Sequence, residues 1–414
     1  MVTRGSGGAR PLRLAFVCHC MRPADGGAGR IGGAERAAAE LLAALRARGD
    51  VEVRLLAASA ASDRLAFVSF AFRSLGTLWR LARRGEIDAL LFTGLPTAWM
   101  SLVLAPVLRR HGVASAAICH GHDVTWRFGP WQWLVPKVMA ALDAVAPVSR
   151  ATAAHCLERG LDPRRLHVIA NGADLERFAP APAPETRREI LKAAFPDEAR
   201  GLGAQDVVLC TVGRQVARKG HAWFVREVAP RLDGRVQLWL AGEGPEAAAI
   251  KAATARADVV GRVRRLGAIT EAQLQALYRG ADLFVMPNVP VPGDIEGFGL
   301  VMVEANLGGL PVIAADLEGL GEVIAEGVNG HLVPPLDAAA FAAIIDALAA
   351  DPAERLRLGD AAQAHARARF GWAPVAERHL EVLEAARRSL PSARPRPSES
   401  PRGRGQADPL SAQP

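Results

Sequence analysis

The sequence predicts an α/β protein built from two doubly wound parallel sheets. Three observations carry that reading. Short continuous Val/Ile/Leu/Ala runs alternate with amphipathic stretches almost from end to end, the pattern of parallel strands covered on both faces. The runs fall into two sets of six, and 414 residues suit two or three domains. Between the sets lies a Pro/Ala-rich segment, APAPAPETRREILKAAFPDEARGLGAQ (179–205), which reads as an interdomain linker.

In the first half the strand candidates are 12–18, 51–57, 88–93, 114–119, 143–148 and 166–169. Helical patterns separate them, notably AERAAAELLAALRAR (34–48) and 149–160. In the second half they are 206–212, 235–241, 262–266, 282–286, 310–314 and 330–333. Residues 89–108 are uncharged for twenty positions, long enough to span a bilayer. Gly94 and Pro96 interrupt that run early, so strand, turn and helix account for it better, with proline in a first helical turn. The last 24 residues, rich in Pro, Ser and Arg without apolar periodicity, are expected to be disordered.

Composition narrows the function classes. Half of the chain is hydrophobic and 22% is charged, which excludes collagen-like, coiled-coil and wholly disordered classes. Five cysteines, mostly inside apolar runs, do not suggest a disulfide scaffold, and the opening apolar stretch is too short for a secretory signal, so a cytoplasmic setting is expected. The net charge is +7, and only Lys137, Lys192, Lys219 and Lys251 are lysines. No RNA- or DNA-binding module is recognisable, and a basic excess alone licenses only nonspecific contacts.

Two tempting motifs fail on context. Gly27–Gly32 satisfies G-x-G-x-x-G but starts well after its strand, and the second strand ends in small residues with no acid to hold a ribose. A nicotinamide dehydrogenase is therefore disfavoured, although a phosphate could still approach a glycine loop that opens a helix. Cys18-His19-Cys20 is an isolated triplet with no second cluster to complete a zinc site.

The second half is more specific. Strand 206–212 is followed by Gly213-Arg214 and by Lys219-Gly220 opening a helix, a placement suited to a diphosphate. Strand 235–241 ends in the tight loop Gly242-Glu243-Gly244-Pro245. Then comes Glu296-Gly297-Phe298-Gly299-Leu300-Val301-Met302-Val303-Glu304, with Glu296 at a loop–helix junction and Glu304 two turns into the helix. The amides of 297–299 are free for an anion at the helix N-terminus.

With these residues the chain resembles the retaining glycosyltransferases of family 4. GR…KG, AGEGP, EGFGLVMVE, GLPVIA and GVNGHLVPP follow in the family's order, and GGAER (32–36), HGHD (120–123), PVSR (147–150) and IANGADLERFAP (169–180) look like its first-half segments. The resemblance implies the GT-B fold, two Rossmann-like domains facing each other across a cleft. It implies an acceptor-binding domain over 1–178, the linker, a donor-binding domain over 206–370, a helix over 371–390 packing back on the first domain, and the tail 391–414. The implied reaction moves a sugar from a UDP-, GDP- or ADP-sugar to a glycan, lipid-linked or small-molecule acceptor, with retention.

The resemblance also assigns roles. Arg214 and Lys219 match the pair that neutralises the donor diphosphate, and Glu304 the carboxylate that accepts the ribose hydroxyls. Glu296 with Gly297, Phe298, Gly299 and Leu300 matches the cradle for sugar and phosphate. Gly242 and Gly244 belong to the donor loops, and Gly33 matches a backbone contact to phosphate. His120 stands beside the transferred sugar, with Glu296 the second catalytic candidate. Asp123 and Trp126, with Trp131 and Trp133, are acceptor-side candidates. No cofactor and no metal are expected, because protein cations replace the ion. A peripheral membrane contact through 70–84, with Phe72, Leu75, Leu78 and Trp79 on one face and Arg73, Arg80 and Arg84 on the other, stands beside plain core packing. An epimerase or phosphorylase on the same fold, or a noncatalytic sugar-nucleotide binder, remains the alternative. The stretch NVPVPGDI (288–295) is longer than the family's usual turn, and its Asp294 could reach a sugar hydroxyl.

Overall fold

The computed structural model describes residues 10–21, 33–59, 64–178 and 183–391. The glycine loop 27–32, residues 179–182 of the linker and the tail from 392 onward lie outside the described residues.

Two all-parallel sheets carry the architecture. The first contains β1 (Leu12–Met21), β2 (Val51–Ser59), β3 (Ala89–Phe92), β4 (Ala114–Cys119) and β5 (Ala144–Pro147) in the order β2-β1-β3-β4-β5. The second contains β6 (Val207–Val212), β7 (Val236–Ala241), β8 (Val263–Gly267), β9 (Leu283–Met286), β10 (Val312–Ala315) and β11 (Gly330–Val333) in the order β11-β10-β9-β6-β7-β8. All six strands expected in the second half form. In the first half the sixth does not. Residues 166–169 run beside β5, and the N–H groups of His167 and Ile169 donate to it, but only an isolated bridge from Val145 to Leu166 results. A 3-10 turn over Pro163–Arg165 delivers the chain to that edge, and it then leaves towards the last helix, where Ala173 bridges Gly371.

The helices follow their apolar spacing. Gly33–Arg46 buries Ala37, Ala38, Leu41, Leu42 and Leu45, one face at helical period. The uncharged run 89–108 resolves into β3, a turn at Gly94 and the helices Leu95–Ala98 and Ser101–Arg110. Among the described residues no helix is long and apolar enough to cross a membrane. The helix Arg64–Arg84 is amphipathic, but its expected apolar face divides. Leu78 is buried, whereas Phe72 and Trp79 face solvent, with the Arg83 guanidinium 4.4 Å from the Trp79 ring centre. Within the segment read as linker, the helix Pro184–Ala194 packs on the helix Glu271–Gly280, and Arg187 Nη1 donates to the Ala281 carbonyl at 2.7 Å.

Each sheet reverses direction once, between β1 and β3 and between β6 and β9. In open α/β sheets ligands bind outside the carboxyl ends of the strands at such points. For the second sheet these are the segments after Val212 and after Met286.

The last helix, Trp372–Ser389, crosses back to β3, β4, β5 and the helix Gly33–Arg46. Asp88 ties its C-terminal end to the first sheet. Buried Asp88, just before β3, accepts from Arg13 Nε at 2.9 Å and from Arg10 and Arg387 Nη2 at 3.1 Å each. Burial alone would raise the Asp88 carboxyl, but the Arg13 hydrogen bonds and the charges of Arg13 and Arg387 outweigh it and hold it at about 2. A carboxyl depressed on folding adds stability above its unfolded value of about 4, and loses it as pH falls through the folded value. Asp88→Asn is therefore expected to cost roughly 1–3 kcal/mol at neutral pH. Calorimetric melting against pH should show the gap to the parent protein full above about pH 4 and narrowing towards pH 2. A gap independent of pH would contradict the assignment.

Candidate active site

The switch point of the second sheet is built on a close approach of two loops. After β6 the chain passes Gly213 and Arg214 into a 3-10 turn, Ala217–Lys219, and reaches Gly220 with φ 65°. A Cβ on Gly220 would lie 2.0 Å from the Pro287 carbonyl oxygen, so only glycine lets this loop lie on the segment after β9. The helix beyond is short and irregular: His221–Trp223, a π turn over Phe224–Val228 and a 3-10 turn over Ala229–Arg231.

That approach buries an ion cluster. Lys219, 7% exposed, places Nζ 2.6 Å from Glu296 Oε2. Arg218 bonds the same oxygen and sets Nε 3.0 Å from Asp294 Oδ1, while Asn288 Nδ2 donates to Glu296 Oε2 at 3.3 Å. Burial works against the Glu296 charge, yet Lys219 and Arg218 together bring its carboxyl down to about 2. The Lys219 ammonium is lowered, first by burial and then by Arg218, with Glu296 opposing both. Behind it lies buried His221, brought to about 3 by burial and the Lys219 charge, so it is neutral at physiological pH. Arg214 stays exposed and outside this cluster. The buried Asn288 Oδ1 has no hydrogen-bond donor among the described residues. Sequence reasoning missed Arg218 and Asn288, whose only signals were adjacency to Lys219 and to the end of β9.

The loop from Glu296 leads into the helix Leu300–Leu307, capped by Gly299 at φ 80°. Gly297 is pressed on the first domain, where a Cβ would lie 2.0 Å from the His120 carbonyl oxygen. Phe298 is buried edge-on to Phe370, with ring centres 5.8 Å apart, so only its backbone is left to meet a ligand; Leu300 is partly buried. The amides of residues 297–299 donate to no protein acceptor among the described residues. Gly242 and Gly244 lie against the Gly213–Gln215 backbone, with Gln215 Nε2 donating to the Gly242 carbonyl at 2.8 Å.

Glu304 sits one turn into its helix, not two, because the helix starts only at Leu300. Its side chain is 3% exposed. Oε1 receives Nη1 of Arg36 at 2.7 Å and of Arg177 at 2.6 Å, and Oε2 accepts the Tyr278 hydroxyl at 3.3 Å. Arg177 also forms a fork with Glu271, at 2.6 and 2.7 Å. Burial disfavours the Arg177 charge, but Glu271 and Glu304 outweigh it and raise its pKa. Both arginines come from the first half, in the segments GGAER and IANGADLERFAP, where no role was read for them.

On the first-domain side, His120 follows β4, and its Nε2 lies 2.9 Å from the Thr93 carbonyl oxygen. Asp123 accepts the His120 N–H at 2.9 Å and the Leu95 N–H at 3.2 Å, tying two loops together. His122 Nδ1 lies 3.6 Å from Asp294 Oδ1, and Thr125 donates to the Gly293 carbonyl at 3.2 Å. Trp126 is exposed and stacks on Phe128 at 5.2 Å, whereas Trp131 donates its indole N–H to the Asp123 carbonyl at 2.7 Å. Gly33 is exposed at the start of its helix, with open space where a Cβ would stand. The structure thus brings Lys219, Glu296, Gly297 and His120 into one contiguous shell. Glu304 stands one turn further along the helix, and Arg214, Gly33 and Trp126 lie at exposed positions. Among the described residues no three His, Cys, Asp or Glu side chains are grouped to hold a metal ion.

Residues 206–351 match the family model described as glycosyl transferases group 1, and residues 31–177 match the one described as glycosyltransferase family 4. A GDP-mannose-dependent alpha-(1-6)-phosphatidylinositol monomannoside mannosyltransferase of Mycolicibacterium smegmatis is 30% identical over 292 residues, 69% of this chain and 74% of that protein. A D-inositol 3-phosphate glycosyltransferase of Xylanimonas cellulosilytica is 34% identical over 262 residues, 62% of this chain and 60% of that protein. The chain thus spans less than two thirds of that relative's length. Among solved structures, Anabaena HepE in complex with UDP superposes with a TM-score of 0.70 at 20% identity, over 90% of this chain and all of that one. Sucrose-phosphate synthase of Thermosynechococcus elongatus gives 0.70 at 21% identity, over 90% of this chain and 98% of that one. These likenesses bear on the fold, two Rossmann-like domains in the GT-B arrangement. The chain belongs to the group 1, family 4 glycosyltransferases.

Proposed function

We propose that this chain transfers a sugar from a nucleoside-diphosphate sugar to a glycan or lipid-linked acceptor, with retention of anomeric configuration and without a metal ion. The buried Lys219–Glu296 pair beside three uncommitted amides carries the reading, because a fixed cation, a buried ionised carboxylate and a turn with free N–H groups meet at one switch point. Departure of a nucleoside diphosphate leaves an oxocarbenium-like carbon and a phosphate anion. Lys219, Arg214 and the amides of 297–299 stabilise that developing charge, and fixed donors in a water-poor site do so without reorganisation. Glu296, ionised at physiological pH, orients the sugar hydroxyls. The departing phosphate oxygen takes the acceptor proton, so no strong protein base is required. Glu304 accepts from the ribose, and His120 lies beside the transferred sugar.

The donor is a UDP-, GDP- or ADP-sugar; the mannosyltransferase relative is named for GDP-mannose, and the HepE structure holds UDP. A lipid-linked acceptor is favoured by exposed aromatics on the first domain. Phe72 and Trp133 are each 66% exposed, and the Lys137 ammonium lies 2.9 Å from the Trp133 ring centre. Aromatic and basic side chains together suit an anionic membrane surface. We assign the protein to the cytoplasm, peripheral on the inner face of the membrane.

Three outcomes test this reading. Lys219→Ala should weaken UDP or GDP binding about tenfold or more in calorimetry, the loss of a charged hydrogen bond. Unchanged affinity would remove Lys219 from the phosphate site. Glu304→Gln should weaken the nucleoside diphosphate itself and lower the melting temperature, since it releases Arg36 and Arg177. Glu296→Gln should leave nucleotide affinity near parental and depress transfer, and equal nucleotide losses in both variants would refute this division. Transfer should survive exhaustive EDTA, because Lys219, Arg214 and the amides supply the positive potential. Loss restored by magnesium or manganese would overturn that charge assignment.

A further inference from the structure

The loop after β10 carries a feature that the proposed reaction leaves unused. Glu318 adopts φ 55°, and among the described residues only Leu336 is another non-glycine with positive φ. A side-chain-bearing residue enters this region at a cost that glycine avoids, and residues held there cluster at functional sites. Its neighbour explains why the conformation persists. A Cβ on Gly319 would lie 2.2 Å from the Gly297 carbonyl oxygen, and the Gly319 N–H donates to the Glu296 carbonyl at 3.4 Å. The loop is therefore pinned on the Glu296–Gly297 backbone, and Glu318 Oε2 accepts the Glu296 N–H at 2.5 Å.

The other carboxylate oxygen is uncommitted. Among the described residues Glu318 has no ion-pair partner, and Oε1 receives no hydrogen bond. Burial, and to a smaller degree the Glu296 charge, push its carboxyl above the usual range. Arg218 and His155 act the other way without pairing with it, so this half-buried acid beside a second acid gains little within the fold. Asn288 Oδ1, also unpaired, belongs to another residue that touches Glu296. Beside the Arg218 and Lys219 contacts, Glu296 thus has two uncommitted oxygens near it, Glu318 Oε1 and Asn288 Oδ1, which suit hydroxyl donors.

We propose that Glu318 is a specificity-determining residue of the donor site, accepting a hydroxyl of the transferred hexose through its free oxygen while its other oxygen fixes the Glu296 backbone. This rests on the donor reading given above.

The test is a calorimetric panel on the full chain, with UDP, GDP and ADP as nucleotides and UDP-glucose, UDP-galactose, UDP-N-acetylglucosamine, GDP-mannose and ADP-glucose as sugar nucleotides. If the parent binds none of them, the donor reading fails and this inference with it. Given a nucleotide that binds, Glu318→Gly is expected to keep its affinity within about twofold and to weaken the matching sugar nucleotide about tenfold, the scale of a lost charged hydrogen bond. It should also narrow the preference between epimers, and its melting temperature should not fall, because glycine adopts this φ freely. Glu318→Gln retains an acceptor for the Glu296 N–H, so a purely structural role predicts parental sugar-nucleotide binding. A selective loss in that variant supports the hydroxyl contact. Parental sugar-nucleotide affinity and epimer preference in both variants would overturn the proposal while leaving the donor reading intact.

Discussion

The site depends on keeping one ionised carboxylate, Glu296, away from water. Burying a charge costs several kcal/mol unless good geometry returns it. Here Lys219, Arg218 and Asn288 converge on Oε2, while the backbone N–H of Glu296 is held by Glu318. The cluster needs the β6 loop to lie directly on the β9 segment, which is why Gly220 meets the Pro287 carbonyl. Within it Arg218 and Lys219 balance Asp294 and Glu296 in formal charge. Under the proposed donor reading a diphosphate would meet these two balanced pairs, with Glu318 a further acid beside Glu296. Extra positive potential would then have to come from exposed Arg214, from the amides of 297–299, or from Lys219 turning part of its hydrogen-bonding capacity away from Glu296. An ammonium has three donors, and among the described residues only contacts to Glu296 and the Met286 sulfur are made. Lys219 can thus hold Glu296 and still have a donor for the phosphate oxygen that the proposed reading assigns to it.

Glu304 performs a second task that its place in the motif does not reveal. Two arginines from the first domain converge on Oε1, so the carboxylate ties the two halves of the molecule together. Among the described residues Oε2 carries only the longer Tyr278 contact and keeps acceptor capacity for a hydroxyl. Nearby, Trp372 at the start of the returning helix donates to Glu40 at 2.6 Å, and Glu40 shares a helix with Arg36. Burial raises the Glu40 carboxyl more than that hydrogen bond lowers it. Glu304, Arg36 and Glu40 on one helix, and Trp372 of the returning helix thus form one chain of contacts along the seam.

Much of this was legible in the sequence, for physical reasons that also explain the gaps. Parallel strands buried on both faces read as continuous apolar runs, so the whole second sheet could be located, whereas 166–169 has the same composition without a full ladder. Lys219 stood out because lysine is rare here, and Glu296 and Glu304 because glycines punctuate their spacing. Arg218 carried no such signal in a chain so rich in arginine. Arg36 and Arg177 lie 268 and 127 residues from the carboxylate they hold, separations over which pairing is set by the packing of two domains and not by local pattern. Glu318 was invisible because φ at one loop position follows from where Gly319 must pass, not from its own side chain.

His120 shows how the seam constrains chemistry as well as shape. A carbonyl oxygen can only accept, so the 2.9 Å contact to Thr93 makes Nε2 the protonated nitrogen. In the neutral ring the remaining nitrogen, Nδ1, is then an acceptor. Buried His379 is brought to about 4, first by burial and then by His120, so it adds no positive charge beside it at physiological pH. A ring fixed in this tautomer suits accepting a hydrogen bond from a sugar hydroxyl. The Thr93 contact therefore fixes which nitrogen meets a ligand: Nε2–H stays on the carbonyl, and Nδ1 can accept a hydrogen bond, or take up and return a proton, without the ring turning.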